Sequence, residues 1–204
     1  MRTLPDAVFI NVPFDLRYKK LFDALVFAVH DCGFVARCAR ENDDGSQVRV
    51  DKLYAIIGAC RYGIHDLSRT SLDGRNRLPR FNMPLELGIF LGAKRFGGKK
   101  QSRKSCLILD RDPYRYQIFC SDIAGQDIRA HRNDAGQAIA AVRDWLRAAR
   151  SASVAMPGAT RMIERYAHFR RQLPAICRAA TLDVRALSFL DYRTLVTGWL
   201  DENS

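Results

Sequence analysis

Asp66, Ser68, Asn82 and Glu86 are polar residues that flank one strand and one helix of an otherwise apolar segment. Asp66 and Ser68 end a run that is typical of a buried strand, and Asn82 and Glu86 open the apolar helix that follows. Cleavage of an N-glycosidic bond needs such groups, because a carboxylate stabilises the oxocarbenium-like transition state or traps the sugar, while a second polar group holds the sugar hydroxyls. We therefore predict Glu86 and Asp66 as catalytic carboxylates, and Ser68 and Asn82 as substrate-binding residues.

Both carboxylates have structural alternatives. Glu86 is expected in the first helical turn, where a carboxylate stabilises its own helix by about 0.3–1 kcal/mol. Asp66 would instead cap a turn or a helix. The sequence leaves these alternatives open, and the observation that separates them is whether Asp66, Asn82 and Glu86 line one pocket.

Further candidate ligands for the substrate follow the first two predicted strands. Arg37 and Arg40 lie at the end of the second strand, and guanidinium groups bind phosphates bidentately. Asn11, Pro13 and Phe14 follow the first strand. We predict that all five bind substrate; the alternative for the two arginines is a solvated surface charge.

Apolar strands alternate with amphipathic helices along the first 150 residues. This alternation predicts an α/β fold in which a parallel sheet is covered on both faces. Ligands of such sheets bind outside the carboxyl ends of the strands, where Asn11, Arg37, Asp66 and Asp110 are expected. The predicted strands are Ala7–Val12, Phe34–Ala39, Tyr62–Leu67 and Ser105–Leu109, and the predicted helices are Tyr18–Cys32, Val48–Cys60, Pro84–Phe96 and Ala135–Ala149.

Three predictions concern individual segments. The helix Pro84–Phe96 is apolar almost all round, so we expect it to be buried. Gly97–Arg103 is predicted as a flexible basic loop, and Asp122–His131 as a loop with one short strand. The polar stretches Asn42–Ser46 and Arg69–Phe81 are predicted as a turn and a loop.

The chain divides into an α/β domain, residues 1–150, and a C-terminal helical extension, residues 151–204. Ser151–Ala159 is the predicted linker, followed by helices Thr160–Ala180 and Asp191–Leu200. Their apolar residues would leave a large apolar patch in water, so we expect the extension to pack on the domain or on a second subunit, and the protein to be a homo-oligomer.

The composition limits the classes of protein to which the chain can belong. The 204 residues are 48% hydrophobic and 27% charged, without a signal peptide or an apolar run of membrane-spanning length, so we expect a cytoplasmic globular protein with no membrane partner. Six cysteines without a CxxC pair are expected to be buried free thiols, and the four histidines are not spaced as metal ligands, so no metal is predicted. His65, inside a strand, is expected to be a core histidine.

The net charge of +11 favours anionic partners, with a solvated basic face as the alternative. Neither zinc-finger spacing nor an RNA-binding aromatic motif occurs, so nucleic acid is not the favoured partner. The absence of GxGxxG and GxxxxGK patterns argues against ordinary dehydrogenases and P-loop NTPases. A nucleotide-like small molecule is the partner we expect.

Three motifs together resemble the nucleoside 2-deoxyribosyltransferase and TIR-like superfamily. They are FINVPF at the first strand, DLS after the third and NMPLELGIFLGAKRFG at the helix, within residues 5–110. ELG matches the Glu and first Gly of the transferases' E-x-G-x-A-x-x-x-G segment, which puts Glu86 in the catalytic place. The resemblance implies a flavodoxin-like sheet and N-glycosidic chemistry on a nucleoside, a nucleotide or NAD, with NAD as substrate rather than cofactor. It also implies a role in bacterial antiviral defence.

Two other classes of function stay open. One is a non-catalytic nucleotide-sensing, TIR-like scaffold that assembles through its C-terminal helices. The other is a basic nucleic-acid-associated protein.

Overall fold

The computed structural model describes residues 6–41, 44–70, 81–150 and 155–203, and within them five strands form one parallel sheet. Across the sheet the strands lie in the order Val35–Arg37, Ala7–Asn11, Tyr62–Asp66, Ser105–Asp110 and Ile128–Ala130, which is the 2-1-3-4-5 order of flavodoxin-like doubly wound sheets. Phe9 pairs with Arg37 on one side and Gly63 on the other. The predicted parallel α/β sheet is confirmed. Its strands are β1 (Ala7–Asn11), β2 (Val35–Arg37), β3 (Tyr62–Asp66), β4 (Ser105–Asp110) and β5 (Ile128–Ala130).

Helices cover both faces of the sheet. Val8, Ile10 and Ile64 pack on the side of α1 and α5, whereas Ala7 and Phe9 pack on the side of α2 and α3, as the period of two along a strand requires. The helices are α1 (Lys19–Asp31), α2 (Arg49–Ala59), α3 (Asn82–Phe96), α4 (Gly98–Gln101), α5 (Ala135–Ala149), α6 (Ala159–Ala179) and α7 (Phe189–Glu202).

Gly33 ends α1. Its φ of 75° lies in the left-handed region, which glycine adopts without a Cβ penalty. The Gly33 N–H donates to the His30 carbonyl and the Phe34 N–H to the Val29 carbonyl, the two bonds of a Schellman motif. The chain then enters β2 directly.

Two predictions about the α3 region are wrong. α3 is not buried all round: Leu87 and Phe90 are buried, but Leu85 is 61% exposed, because only one face of the helix lies on the sheet. The helix also begins at Asn82, so Glu86 lies in the second turn rather than the first. After it, the predicted flexible loop Gly97–Arg103 contains the short helix α4.

The C-terminal helices pack on the domain, as predicted. Phe169 on α6 and Trp199 on α7 are buried, and their rings lie 5.5 and 6.0 Å from the ring of Phe27 on α1. The Tyr192 hydroxyl donates to the backbone carbonyl of Asp23 at 3.1 Å. The extension and the sheet therefore share one hydrophobic core.

Parts of three loop predictions lie outside the described residues, namely 71–80 of the polar loop, 42–43 of the turn and 151–154 of the linker. Within the described chain, the six cysteines are free thiols, four of them buried. In the same ranges no group of three His, Cys, Asp or Glu side chains could hold a metal ion. Nor is any described helix both long and apolar enough to cross a bilayer.

Candidate functional site

A cavity of about 270 Å³ lies at the carboxyl ends of β1, β2 and β3, beside the first two turns of α3. This is the edge at which doubly wound sheets bind ligands. Each strand is followed by a short segment that reaches the cavity, while α2 contributes its first turn and α3 its first two turns. The lining residues are Val12, Pro13, Phe14, Arg40, Arg49, Arg69, Asn82, Met83 and Glu86.

Glu86 is the acidic residue among the described residues lining the cavity. Asn82 lies one turn before it, so both side chains lie on the same face of α3. Within the described residues the Glu86 carboxylate makes no hydrogen bond and no ion pair. Burial raises its pKa to about 7, an effect that the charge of Arg49 partly offsets. Near neutral pH, Glu86 is therefore divided between its ionised and protonated forms.

Three arginines give the cavity a positive rim. Arg40 donates from Nη2 to the Phe14 carbonyl at 2.9 Å and lies 4.5 Å from the centre of the Phe14 ring. Arg69 is paired with Asp15 at 3.1 Å. In the described part of the chain neither Arg40 nor Arg49 has an acidic partner within 4 Å, so both are available to an anion.

Asp66 does not line the cavity, and its predicted contact with substrate is wrong. It is fully buried, and its Oδ2 accepts from the Tyr18 hydroxyl at 2.5 Å and lies 2.9 Å from His131 Nε2. Its Oδ1 accepts from the Ser68 N–H at 2.7 Å. Burial, followed by the charge of Asp66, raises the pKa of Tyr18, so the phenol remains a donor. Asp66 therefore ties the start of α1, the end of β3 and the segment after β5 together.

Three other predicted substrate ligands are also used within the protein. Asn11 is 1% exposed, and its Nδ2 donates to the Met83 carbonyl at 3.0 Å and to His65 Nδ1 at 3.0 Å. Ser68 is buried and bonds to Asp66 through its backbone N–H, while its hydroxyl has no hydrogen-bond partner among the described residues. Arg37 is ion-paired with Glu41. These groups hold loops and helix ends at the sheet edge, which is why they do not reach the cavity.

The structure thus brings together Pro13, Phe14, Arg40, Asn82 and Glu86 from the predicted set. His65 is a core histidine, as expected: it is fully buried, and burial lowers its pKa to about 3.

Sequence reasoning missed Arg49, Arg69, Tyr18 and His131. Arg69 follows the D-L-S of β3 directly, and Arg49 opens α2 after the loop from β2, so their position at strand-end loops was a usable signal. Tyr18 and His131 lie 48 and 65 residues from Asp66 along the chain. Because these contacts are so distant in sequence, no local pattern predicts them.

Comparison with known proteins does not identify a family for this chain. No family model matches the chain, and neither a curated protein nor a solved structure matches it.

Proposed function

We propose that the protein cleaves, or transfers across, the N-glycosidic bond of a nucleotide-like substrate, with Glu86 as the catalytic carboxylate. One observation carries the proposal: a carboxylate without a hydrogen bond or a close ion pair among the described residues lies in a cavity rimmed by arginines, and its pKa is raised to about 7. Perturbed carboxylates in clefts are typical of functional sites.

In the proposed reaction the sugar C1′ lies at the Glu86 carboxylate. The C1′–N bond breaks and its electron pair leaves with the base. Ionised Glu86 either stabilises the positive sugar or bonds to C1′ as an ester. Water then adds its hydroxyl to C1′, and its proton passes to the departed base of a nucleoside or to solvent when the base is neutral nicotinamide. In the transfer reaction a second base bonds to C1′ and gives up its own proton in the same way. Only the ionised form of Glu86 serves either role.

The other lining residues have assigned roles. Arg40 and Arg49 bind the phosphate groups, because neither has an acidic partner in the described chain and guanidinium groups pair well with phosphate oxygens. Asn82, one helical turn from Glu86, hydrogen-bonds the sugar hydroxyls. Pro13 and Phe14 form the wall behind the sugar.

The sequence resemblance supports this assignment and suggests NAD, nucleosides and nucleotides as the substrates to test first. A role in antiviral defence and a homo-oligomeric state are further parts of the proposal. Both derive from the sequence alone.

A non-catalytic nucleotide-sensing module is the second candidate function. It is favoured by the position of Asp66, which is buried away from the cavity and leaves Glu86 without a second carboxylate among the described lining residues. Such a module would bind nucleotides through the same arginines without breaking a bond.

The experiment incubates the protein with NAD and with a panel of nucleosides and nucleotides, and detects products by mass spectrometry. A free base with its matching sugar product supports the enzyme. Binding of a nucleotide without any product supports the sensing module.

A further inference from the structure

The cavity at Glu86 opens into a larger groove of about 860 Å³. Arg40, Arg49, Asn82 and Glu86 line both, so the two form one continuous surface. The groove runs between α2 and α3, and its third side comes from the C-terminal extension. The residues that the extension contributes are Leu187, Ser188, Phe189 and Leu190.

Glu41 and Lys52 line the groove along with the shared arginines, but the groove differs from the arginine-rimmed cavity because it also has several large apolar side chains that are open to solvent. Leu85 is 61% exposed, Tyr54 50%, Leu190 42% and Val50 40%. Large apolar side chains clustered in a concave, exposed surface mark ligand or partner sites. The exposed Tyr54 ring also offers an aromatic face on which a planar group can stack.

The wall contributed by the extension is held in place. Ser188 caps α7 and forms a reciprocal capping box with Asp191. Phe189 is buried, with its ring 5.9 Å from that of Phe22 on α1. Leu190, next in the helix, is therefore presented to the groove from a fixed helix start.

The extension borders the site on a second side as well. A third cavity of about 230 Å³ shares Pro13, Phe14 and Arg40 with the cavity at Glu86, and it too is lined by Leu187 and Phe189. Residues of the α/β domain and of the C-terminal extension therefore line the same two cavities, although the sequence sets the extension apart.

We infer that Leu187, just before α7, and Leu190, in its first turn, form the wall on which the aromatic base of the substrate lies, so that the C-terminal extension selects the base. The inference rests on the proposed function for the placement of the sugar at Glu86. A base joined to that sugar extends from the carboxylate into the adjoining groove. Its phosphates then lie at Arg40 and Arg49, where the surface is cationic. An apolar, planar group is the part of a nucleotide that matches the remaining walls.

The test uses Leu190→Glu, which places a charge in the wall. A carboxylate in the first turn of α7 is favourable for the helix, so the fold is expected to survive, and melting temperature checks this. Ile118→Glu is the matched control, because Ile118 is 85% exposed and lines none of these cavities. Leu190→Ala separates lost contact from charge repulsion.

Binding of adenosine, guanosine, cytidine and uridine 5′-monophosphates is measured by calorimetry for the parent and these variants. Leu190→Glu is expected to bind about tenfold more weakly or worse, since it removes apolar contact with the base, and to bind the four bases with more similar affinities. Leu190→Ala should show a smaller effect in the same direction, and Ile118→Glu should match the parent.

Parent-like binding of all four nucleotides by Leu190→Glu would overturn the inference, as would the absence of nucleotide binding to the parent. The proposed catalysis fails separately, if the parent binds nucleotides but releases no base. If base release depends on Glu86 but Leu190→Glu binds the four nucleotides as the parent does, the proposed catalysis is supported and the proposed base-binding wall is refuted.

Discussion

Glu86 differs from the other carboxylates at this edge of the sheet in having no hydrogen bond and no close ion pair in the described chain, although the charge of Arg49 acts on it. Asp66 is bonded to Tyr18, and Asp110 is paired with Arg115. Those contacts stabilise the fold, whereas nothing described satisfies Glu86, whose pKa is raised to about 7 by burial. A first-turn carboxylate that stabilised its own helix would show the opposite shift, so the structural alternative for Glu86 loses its main support.

Replacing Glu86 with Gln should change how stability depends on pH. The pKa of Glu86 is raised from 4.5 to about 7 in the folded protein, so between these values the folded state binds more protons at this site than the unfolded state. The stability of the parent relative to the Gln variant should therefore be greatest below pH 4.5, fall as pH rises towards 7, and stay constant above it. The fall should be on the order of 1–3 kcal/mol, allowing for partial exposure.

Urea unfolding of both proteins between pH 4 and 8 measures this difference. A parent that gains stability relative to the Gln variant as pH rises would show that ionised Glu86 is held by a favourable partner. That result would remove the basis for a free catalytic carboxylate.

Tyr18→Phe should destabilise the protein by about 1–3 kcal/mol, because it leaves one oxygen of the buried Asp66 without its hydroxyl donor. Tyr54→Phe is the control, since that ring is half exposed. Chemical denaturation of the two variants makes the comparison. Equal destabilisation by the two substitutions would mean that the hydrogen bond from Tyr18 to Asp66 does not stabilise the fold.

At the scale of elements, periodicity predicted the three central strands β1, β3 and β4, the edge strand β2 and most helices of the described chain. β1, β3 and β4 are buried and apolar, and α5 matches its predicted bounds. β5 lies within Asp122–His131, which the sequence predicts as a loop with one short strand, but its three residues are too few for an alternation to fix its bounds. Polar groups at strand ends pointed to the correct edge of the sheet, but the sequence could not separate those that bind other parts of the protein, such as Asn11, from those that line the cavity.

Gly63 lets α3 approach the sheet closely, and its replacement by Ala should be destabilising. A Cβ at this position would lie 2.8 Å from Phe90 Cε2 and 2.8 Å from His65 Nε2, both in fully buried side chains. Overpacking of this kind costs about 1–3 kcal/mol and shifts the helix that carries Glu86. Gly88→Ala on α3 is the control, because nothing lies within 4 Å of a Cβ there. If both variants melt alike, close packing at Gly63 is not required.

At the scale of the whole molecule, the sheet and the C-terminal extension should unfold together. Trp145 lies on α5 and Trp199 on α7, and both helices contribute to the core around α1. Single-tryptophan variants, Trp145→Phe and Trp199→Phe, allow each part to be followed by fluorescence. In each variant the remaining tryptophan should report the same denaturation midpoint as circular dichroism, because a shared core gives one cooperative transition. An earlier transition seen by Trp199 alone would make the extension a separate unit.

The central claim is that Glu86 performs the chemistry, and turnover of Glu86→Gln tests it most directly. Gln keeps the size of the side chain and its hydrogen-bonding ability but removes the charge. With a substrate that the parent cleaves, the account predicts that base release falls by orders of magnitude at pH 8, where Glu86 is ionised, while nucleotide binding stays close to that of the parent and the melting temperature is not lowered. Unchanged base release in a folded Gln variant would contradict the account, as would a loss explained entirely by unfolding.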